Sequence, residues 1–304
     1  MKIITLTLNP AIDVHAKCDD FGEQKESIAS IMSRDMGGKG VNLSRALLSS
    51  GIKHQCLVVV GDENGEEFVS GLKGDGLDLT VVQTSGRIRE NITIHQKGKK
   101  ETRLSFEGFQ ATNELLDKVK KAIPSNLTDT ILTFTGSAPN GIAKEKLIEF
   151  LQEMKNRGAK LVLDSRTLSI ENIISLSPWL IKPNEDEAKT YSGKEITDEI
   201  VAQEVARTFY KAGVENVLMS LGSRGAVLSC EEGDFYKKAP NIKAVSTIGA
   251  GDSMIAGFIA KSIEGGSKQN CLSYAIACGS SACLEEGTKA PKKENITKLF
   301  DEIK

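Results

Sequence analysis

From Leu115 onward, short apolar runs and amphipathic stretches take turns, and this alternation constrains the fold more than any other feature. Thr130 to Thr135, Lys160 to Leu163, Trp179 to Ile181 and Asn216 to Met219 hold apolar residues at adjacent positions, such as Ile131-Leu132, Leu161-Val162-Leu163 and Val217-Leu218-Met219, and read as buried parallel strands. The stretches from Ala143 to Arg157 and from Asp198 to Lys211 have helical periodicity. Ile3 to Leu8, ended by Asn9-Pro10, and Gln55 to Val60 add buried strands; a helix to about Leu72 and a strand near Leu79 to Val82 follow. The pattern predicts an α/β protein: a mostly parallel central sheet with helices on both faces. Polar or glycine signals follow the strands at Gly136-Ser137, Asp164-Ser165, Lys182-Pro183-Asn184 and Ser220-Leu221-Gly222. Open parallel sheets place ligands at the C-terminal ends of their strands, so these loops are expected to share one crevice.

Two stretches break the alternation. From about 14 to 36 the pattern weakens, with a candidate strand from Ser27 to Ser33. From about 87 to 106, Ile92, Ile94 and Leu104 are set among polar residues around a Gly98-Lys99 turn. Such alternation describes a sheet with one wet face. We expect the two stretches to pair as a small β-sheet lid over the crevice. Its apolar face, with Ile92, Ile94 and Leu104, would need cover and is a candidate homodimer contact.

Two glycine-rich turns carry the chemistry. Ser246-Thr247-Ile248-Gly249-Ala250-Gly251-Asp252-Ser253 lies between an expected strand, Asn241 to Val245, and an expected helix, Ser253 to Glu264. Glycines let backbone approach a ligand closely, and a helix N-terminus offers unpaired N–H groups to an anion. A carboxylate at an anion site suits the removal of a proton from a hydroxyl that attacks phosphate. The plainer reading makes Asp252 a helix-capping acid. Met36-Gly37-Gly38-Lys39-Gly40-Val41-Asn42 opens a second helix and adds a cation, where the plainer reading is a solvated lysine on a flexible turn. The small-residue stretch Tyr274 to Ala282 suits close helix packing or a flat ring laid against it.

Several classes are excluded. The chain carries no P-loop motif, no G-x-G-x-x-G, no G-x-S-x-G and no H-E-x-x-H. A net charge of −2 offers no nucleic-acid or anionic-membrane surface. No run of 18 apolar residues or secretory leader is present, and a cytoplasmic location is expected. The six cysteines form no C-x-x-C pair, and the three histidines have no metal-ligand spacing.

The two turns resemble the signatures of the PfkB, or ribokinase-like, carbohydrate kinases. The similarity extends over the chain: Thr135-Gly136-Ser137-Ala138-Pro139, Lys182-Pro183-Asn184-Glu185-Asp186-Glu187 and Ser220-Leu221-Gly222 match further segments of that family. Leu6-Thr7-Leu8-Asn9-Pro10, Gly38-Lys39-Gly40, and Arg89 with Asn91 resemble the branch of 1-phosphofructokinase and tagatose-6-phosphate kinase. Glu101 to Phe109 keeps only part of that branch's usual run.

The resemblance implies a three-layer αβα ribokinase-like fold, a single kinase domain over residues 1–304, ATP and Mg²⁺. It makes Asp252 the general base and Gly249, Ala250 and Gly251 the anion hole. It gives Asp13, Gly38 and Asn42 to the sugar hydroxyls, and Lys39 and Arg89 to the substrate's phosphate, with Asn91 and Ser137 nearby. Lys182, Ser220 and Gly222 fall along the nucleotide, and Asn184 and Glu187 organise Mg²⁺ through water. The implied reaction is ATP-dependent phosphorylation of a ketohexose phosphate, fructose 1-phosphate or tagatose 6-phosphate, to a 1,6-bisphosphate. Alternatives are a kinase of an unphosphorylated sugar or nucleoside, and a non-catalytic sugar or nucleotide sensor on the same fold.

Overall fold

The computed structural model describes residues 1–23 and 26–303. Residues 24 and 25, inside the expected lid stretch, and residue 304, at the end of the expected domain, lie outside the described residues. The first half runs β1 (Lys2–Thr7), β2 (Ala11–Lys17), β3 (Ser30–Gly37), α1 (Lys39–Ser49), β4 (Gln55–Gly61), α2 (Gly65–Gly74), β5 (Leu79–Thr84), β6 (Arg89–His95), β7 (Thr102–Ser105) and α3 (Glu114–Ala122). The second runs β8 (Thr130–Gly136), α4 (Lys144–Asn156), β9 (Lys160–Ser165), α5 (Ile170–Ser175), β10 (Leu180–Ile181), α6 (Glu185–Ser192), α7 (Glu199–Lys211), β11 (Val217–Ser220), β12 (Ala226–Cys230), β13 (Gly233–Lys237), α8 (Ala250–Ile263), α9 (Lys268–Ala282) and α10 (Lys293–Ile303).

Nine strands form the central sheet in the order β13-β12-β11-β10-β9-β8-β1-β4-β5. Every pairing is parallel except β11 with β12 and β12 with β13. Neighbouring residues of one strand enter different cores, as the period of two requires. Ile4, Leu132, Leu161 and Val217 join Phe68, Leu116, Leu147 and Val205 of α2, α3, α4 and α7. Ile3, Ile131, Val162 and Leu218 join Leu43, Ile255, Phe258 and Leu272 of α1, α8 and α9. The result is the three-layer αβα arrangement expected from the sequence, and every full burial of a leucine or phenylalanine in it contributes about 1.5–3 kcal/mol.

The stretch Tyr274 to Ala282 serves close packing. A Cβ on Gly257 would lie 2.8 Å from Cys278 Sγ, and one on Gly279 would lie 2.5 Å from Met254 Cγ. The expected strand from Asn241 to Val245 does not form. That segment is largely exposed, and Val245 N–H donates instead to the Cys283 carbonyl. The β12–β13 hairpin, which the periodicity did not disclose, holds that edge of the sheet.

A separate four-stranded sheet has the order β3-β2-β6-β7. Its strands cover parts of both irregular stretches, although β3 begins three residues later than the candidate strand and runs on to Gly37. The shift follows from pairing, since Asp35, Met36 and Gly37 lie opposite Asp13, Ile12 and Ala11. Val14, Ala16, Met36 and Ile94 are buried, with Met36 seated on Gly71 of α2. Ile94 is therefore turned to the body of its own chain, and Ile92 packs against the same core. Of the three residues expected on an open apolar face, only Leu104 is exposed; Ile31, Met32 and Phe106 are exposed with it.

Candidate active site

The C-terminal ends of β1, β8, β9 and β10 point toward the two glycine turns. Gly38 is the N-cap of α1 at φ 122°, a conformation that favours glycine, and Lys39 begins the helix. Gly249 is the N-cap of α8 at φ 76°. The helix starts at Ala250, three residues earlier than expected, so Asp252 stands in its first turn. The N–H groups of Gly249 and Gly251 have no acceptor among the described residues, while that of Ala250 leans on the Thr247 carbonyl at 3.4 Å.

Four charged side chains converge here. Lys39 Nζ is 3.0 Å from Asp164 Oδ1, and Lys182 Nζ is 3.9 Å from Asp164 Oδ2. Lys182 also crosses the start of α8, where a Cβ on Gly251 would lie 3.0 Å from its Nζ. Asn42 Nδ2 donates to Asp252 Oδ2 at 3.2 Å. Asp252 is only 5% exposed, and burial pushes its carboxyl up to about 7, with the Asp164 charge adding to that rise. Lys39, the Asn42 hydrogen bond and Lys182 pull the other way. Burial works against the charge of Lys39, but Asp164, Asp252 and Glu187 hold it above the ordinary lysine value. Two ammonium groups and a helix N-terminus thus face two carboxylates, an arrangement able to take an anion beside a carboxyl poised near neutrality.

The expected sugar residues lie on one side of this cluster. Asn91 Nδ2 donates to Asp13 Oδ1 at 2.8 Å, and a Cβ on Gly37 would fall on the Asp13 carboxylate. Arg89 donates to the carbonyls of Pro10 at 3.3 Å and Asn9 at 3.5 Å. Asn9 in turn donates to Ser137 Oγ at 3.2 Å, so the Asn9-Pro10 turn joins Arg89 to the β8 loop. Gly136 is packed on Lys39. Asn42 Oδ1, Asn91 Oδ1, Thr7 Oγ1 and Thr135 Oγ1 are buried without a hydrogen-bond partner among the described residues. A buried acceptor left unpaired is costly, and the hydroxyls of a sugar are donors that would relieve it.

The remaining residues form a second group. Ser220 N–H donates to the Pro183 carbonyl at 3.0 Å, Asn184 bridges to Ser220, and Gly222 follows at φ 55°. Asn184 and Glu187 complete a capping box on α6: Glu187 N–H donates to Asn184 Oδ1 at 2.8 Å, and Asn184 N–H to Glu187 Oε2 at 3.0 Å. Part of their expected capacity for metal-held water therefore serves their own helix. Among the described residues, no cluster of three or more His, Cys, Asp or Glu side chains could hold a metal ion by itself. A groove of about 840 Å³ lined by Lys2, Lys53, His54 and Asp78 lies at the opposite end of the strands and holds none of these residues.

A family model for pfkB family carbohydrate kinases matches residues 5–295. The chain belongs to the PfkB family of carbohydrate kinases. It is 28% identical over 306 residues to the 1-phosphofructokinase of Haemophilus influenzae, covering 99% of this chain and 97% of that one. It is 25% identical over 303 residues to the 1-phosphofructokinase of Vibrio cholerae, covering 99% and 96%. Phosphofructokinase-2 from Escherichia coli, solved in complex with substrates and products, superposes with a TM-score of 0.89 at 25% identity, covering 100% of this chain and 99% of that one. The protein is thus a phosphotransferase with an alcohol acceptor, and PfkB kinases use ATP with Mg²⁺. The site fits both. The free N–H groups at α8 and the two lysines suit phosphate, and Mg²⁺ needs only one or two carboxylates when phosphate oxygens supply the rest.

Two residues at the site were not singled out from the sequence. Asp164 was legible only as a polar residue ending a strand, one of several such signals. Arg103, whose Nη2 lies 3.5 Å from Asp13 Oδ1, sits in the segment that departs from the branch pattern. No helix among the described residues is long and apolar enough to cross a membrane.

Proposed function

We propose that this PfkB kinase phosphorylates a ketohexose that already carries a phosphate, yielding a ketohexose 1,6-bisphosphate. The observation that carries this reading is the run of contacts that ties Arg89 to the strand end beside Lys39: Arg89 donates to the Asn9 and Pro10 carbonyls, Asn9 donates to Ser137, and the neighbouring Gly136 packs on Lys39. Two cations beside sugar-hydroxyl acceptors suit an anionic sugar better than a neutral one. The relatives from Haemophilus influenzae and Vibrio cholerae are named 1-phosphofructokinases, which supports fructose 1-phosphate as the first substrate to test, with tagatose 6-phosphate beside it.

In this reading Asp13, Asn91, Gly38 and Asn42 orient the sugar, with Ser137 beside them. Asp252 accepts the proton of the attacking hydroxyl. The N–H groups of Gly249, Ala250 and Gly251 stabilise the negative charge that builds as the phosphoryl group moves. ATP supplies that phosphoryl group, and Mg²⁺ neutralises its oxygens. Lys182, Ser220 and Gly222 would line the nucleotide's path, and Asn184 and Glu187 would hold the metal through water. A panel of sugar phosphates, free sugars and nucleosides tests the substrate class. One of the two ketohexose phosphates should exceed every uncharged acceptor in kcat/KM by about 10²–10⁴-fold, from two charged contacts of roughly 1.5–3 kcal/mol each. A free sugar or nucleoside turned over best would overturn the reading, as would ATP turnover that no acceptor stimulates.

We further read residues 1–304 as one kinase domain and the four-stranded sheet as its lid, because transfer to a sugar must exclude water. Ile31, Met32, Leu104 and Phe106, exposed on that sheet, form the surface that a second copy would cover. Hydrogen exchange tests both statements. Saturating sugar phosphate should raise protection in the two stretches 14–36 and 87–106 together, with smaller changes in β8 and β9. Raising protein concentration should protect the amides around Met32 and Leu104 without ligand. Unchanged protection in the first case removes the lid, and in the second the dimer.

A further inference from the structure

The small sheet and the Gly249 turn both meet one loop, residues 283–287 between α9 and α10. The Ser246 hydroxyl donates to the Gly287 carbonyl at 3.4 Å, and Ser246 Oγ accepts the Ile248 N–H at 3.2 Å. Val245 N–H donates to the Cys283 carbonyl at 2.8 Å. The loop thus backs the segment that enters Gly249. The same Gly287 also reaches the small sheet: a Cβ on it would lie 3.6 Å from His15 Nε2 and 4.0 Å from Asp35 Oδ2. His15 stands two residues after Asp13 on β2, so the two share a face. Its ring is not free to turn. His15 Nδ1 is 2.9 Å from His95 Nε2, with the ring centroids 5.2 Å apart, and His95 Nδ1 is 3.1 Å from Glu101 Oε1. An ionised carboxylate only accepts, so His95 Nδ1 carries the hydrogen that faces Glu101. In a neutral His95 this leaves Nε2 as the acceptor, so His15 Nδ1 donates to it and His15 Nε2 keeps a lone pair. That nitrogen ends the chain beside Gly287, whose N–H has no acceptor among the described residues.

We propose that His15 is a positioning residue for phosphoryl transfer. With His95 and Glu101 fixing its ring, it sets the separation between the face of the small sheet that carries Asp13 and the loop that backs the Gly249 turn. Transfer needs the attacking hydroxyl and the transferring group in one geometry, and a misplacement of about 1 Å costs on the order of 100-fold in rate. Asp13 and the Gly249 turn stand on different parts of the fold, and the 283–287 loop is in contact with both. The inference rests on the reading above that puts the sugar at Asp13 and the phosphoryl group at the Gly249 turn.

Variants of the full chain test it, assayed with ATP and whichever of fructose 1-phosphate, tagatose 6-phosphate, the free sugars and the nucleosides the wild type turns over best. His15→Ala should lower kcat about 10–100-fold, with KM for ATP and for the acceptor within about threefold and the melting temperature unchanged. His95→Ala should lower kcat by a smaller factor. His95→Gln should recover most of that loss, because its amide oxygen can accept from His15 in place of the ring nitrogen. Hydrogen exchange gives a readout apart from turnover. The acceptor alone should raise protection at residues 245–248 and 283–288 in the wild type, and should fail to do so in His15→Ala although the small sheet still responds. A kcat for His15→Ala within about twofold of wild type overturns the inference, as does protection that rises equally in both proteins. So does a melting temperature that falls alike in His95→Ala and His95→Gln together with kcat, since that describes packing alone. A wild type that prefers a free sugar or nucleoside overturns the phosphosugar reading by itself, and the His15 comparison is then decided with that acceptor.

Discussion

Replacing Asp252 by asparagine should leave a folded, nucleotide-binding protein whose kcat is about 10²–10⁴-fold lower, the usual cost of removing a positioned general base. Asn42 can still donate to the new amide oxygen, so the geometry of the crevice should persist. The wild-type carboxyl, pushed up to about 7 by burial and by Asp164, must lose its proton to act as a base. Wild-type kcat/KM should therefore climb with pH and level off above about 7, and the variant should lack that limb. Stability should move the opposite way. A carboxyl whose folded value lies above its unfolded one adds stability below the unfolded value, near 3.8, and loses it as pH rises through about 7. Asp252→Asn should therefore melt above wild type at pH 8 and near it at pH 4. At about 1.4 kcal/mol per unit, the gap is on the order of a few kcal/mol. A variant within about threefold of wild type in kcat would remove Asp252 from the chemistry.

Lys39→Ala and Arg89→Ala should each raise KM for the sugar phosphate by about one to two decades, with little change in KM for ATP. The two should differ in kcat. Lys39 lies against Asp164 at 3.0 Å and helps hold down the proton affinity of Asp252. Its removal leaves two buried carboxylates with less compensation, so the pH limb should shift upward and kcat at neutral pH should fall. Arg89 does not act on Asp252, and its variant should keep the wild-type limb. Steady-state kinetics across pH 5.5–9 separates these cases. If both variants lose ATP affinity and keep sugar affinity, the substrate has been placed on the wrong side of the crevice.

The layering of this fold was legible because burial on two faces leaves a plain trace: Ile131-Leu132 and Leu161-Val162-Leu163 put apolar side chains on both faces of their strands. The Asn241 to Val245 error has the converse cause. A β-branched segment earns a strand only if a ladder is open to it, and β12 and β13 had already taken that edge, which no local pattern reports. The glycine turns were legible because their residue types are demanded by backbone shape, as at Gly38 and Gly249. Asp164 was not, because its importance comes from Lys39, 125 residues away, and Lys182, which are partners in space only. The apolar face of the small sheet was misjudged for a related reason: period two says which residues share a face, not which body that face meets.

The hydrogen bond from Asn42 to Asp252 spans 210 residues. A nascent chain that has just exposed β13 already holds Lys39, Asp164 and Lys182, but has neither the base nor the helix start that faces them. It also lacks α8 and α9, so on that side of the sheet Ile3, Ile131, Val162 and Leu218 have α1 but not these two helices to pack against. At about 5–20 residues per second, the 45 residues from Lys238 to Ala282 take roughly two to nine seconds to appear. For that interval the ribosome carries a sheet with one face only partly covered, and the enzyme is completed by the same two helices that finish the cover.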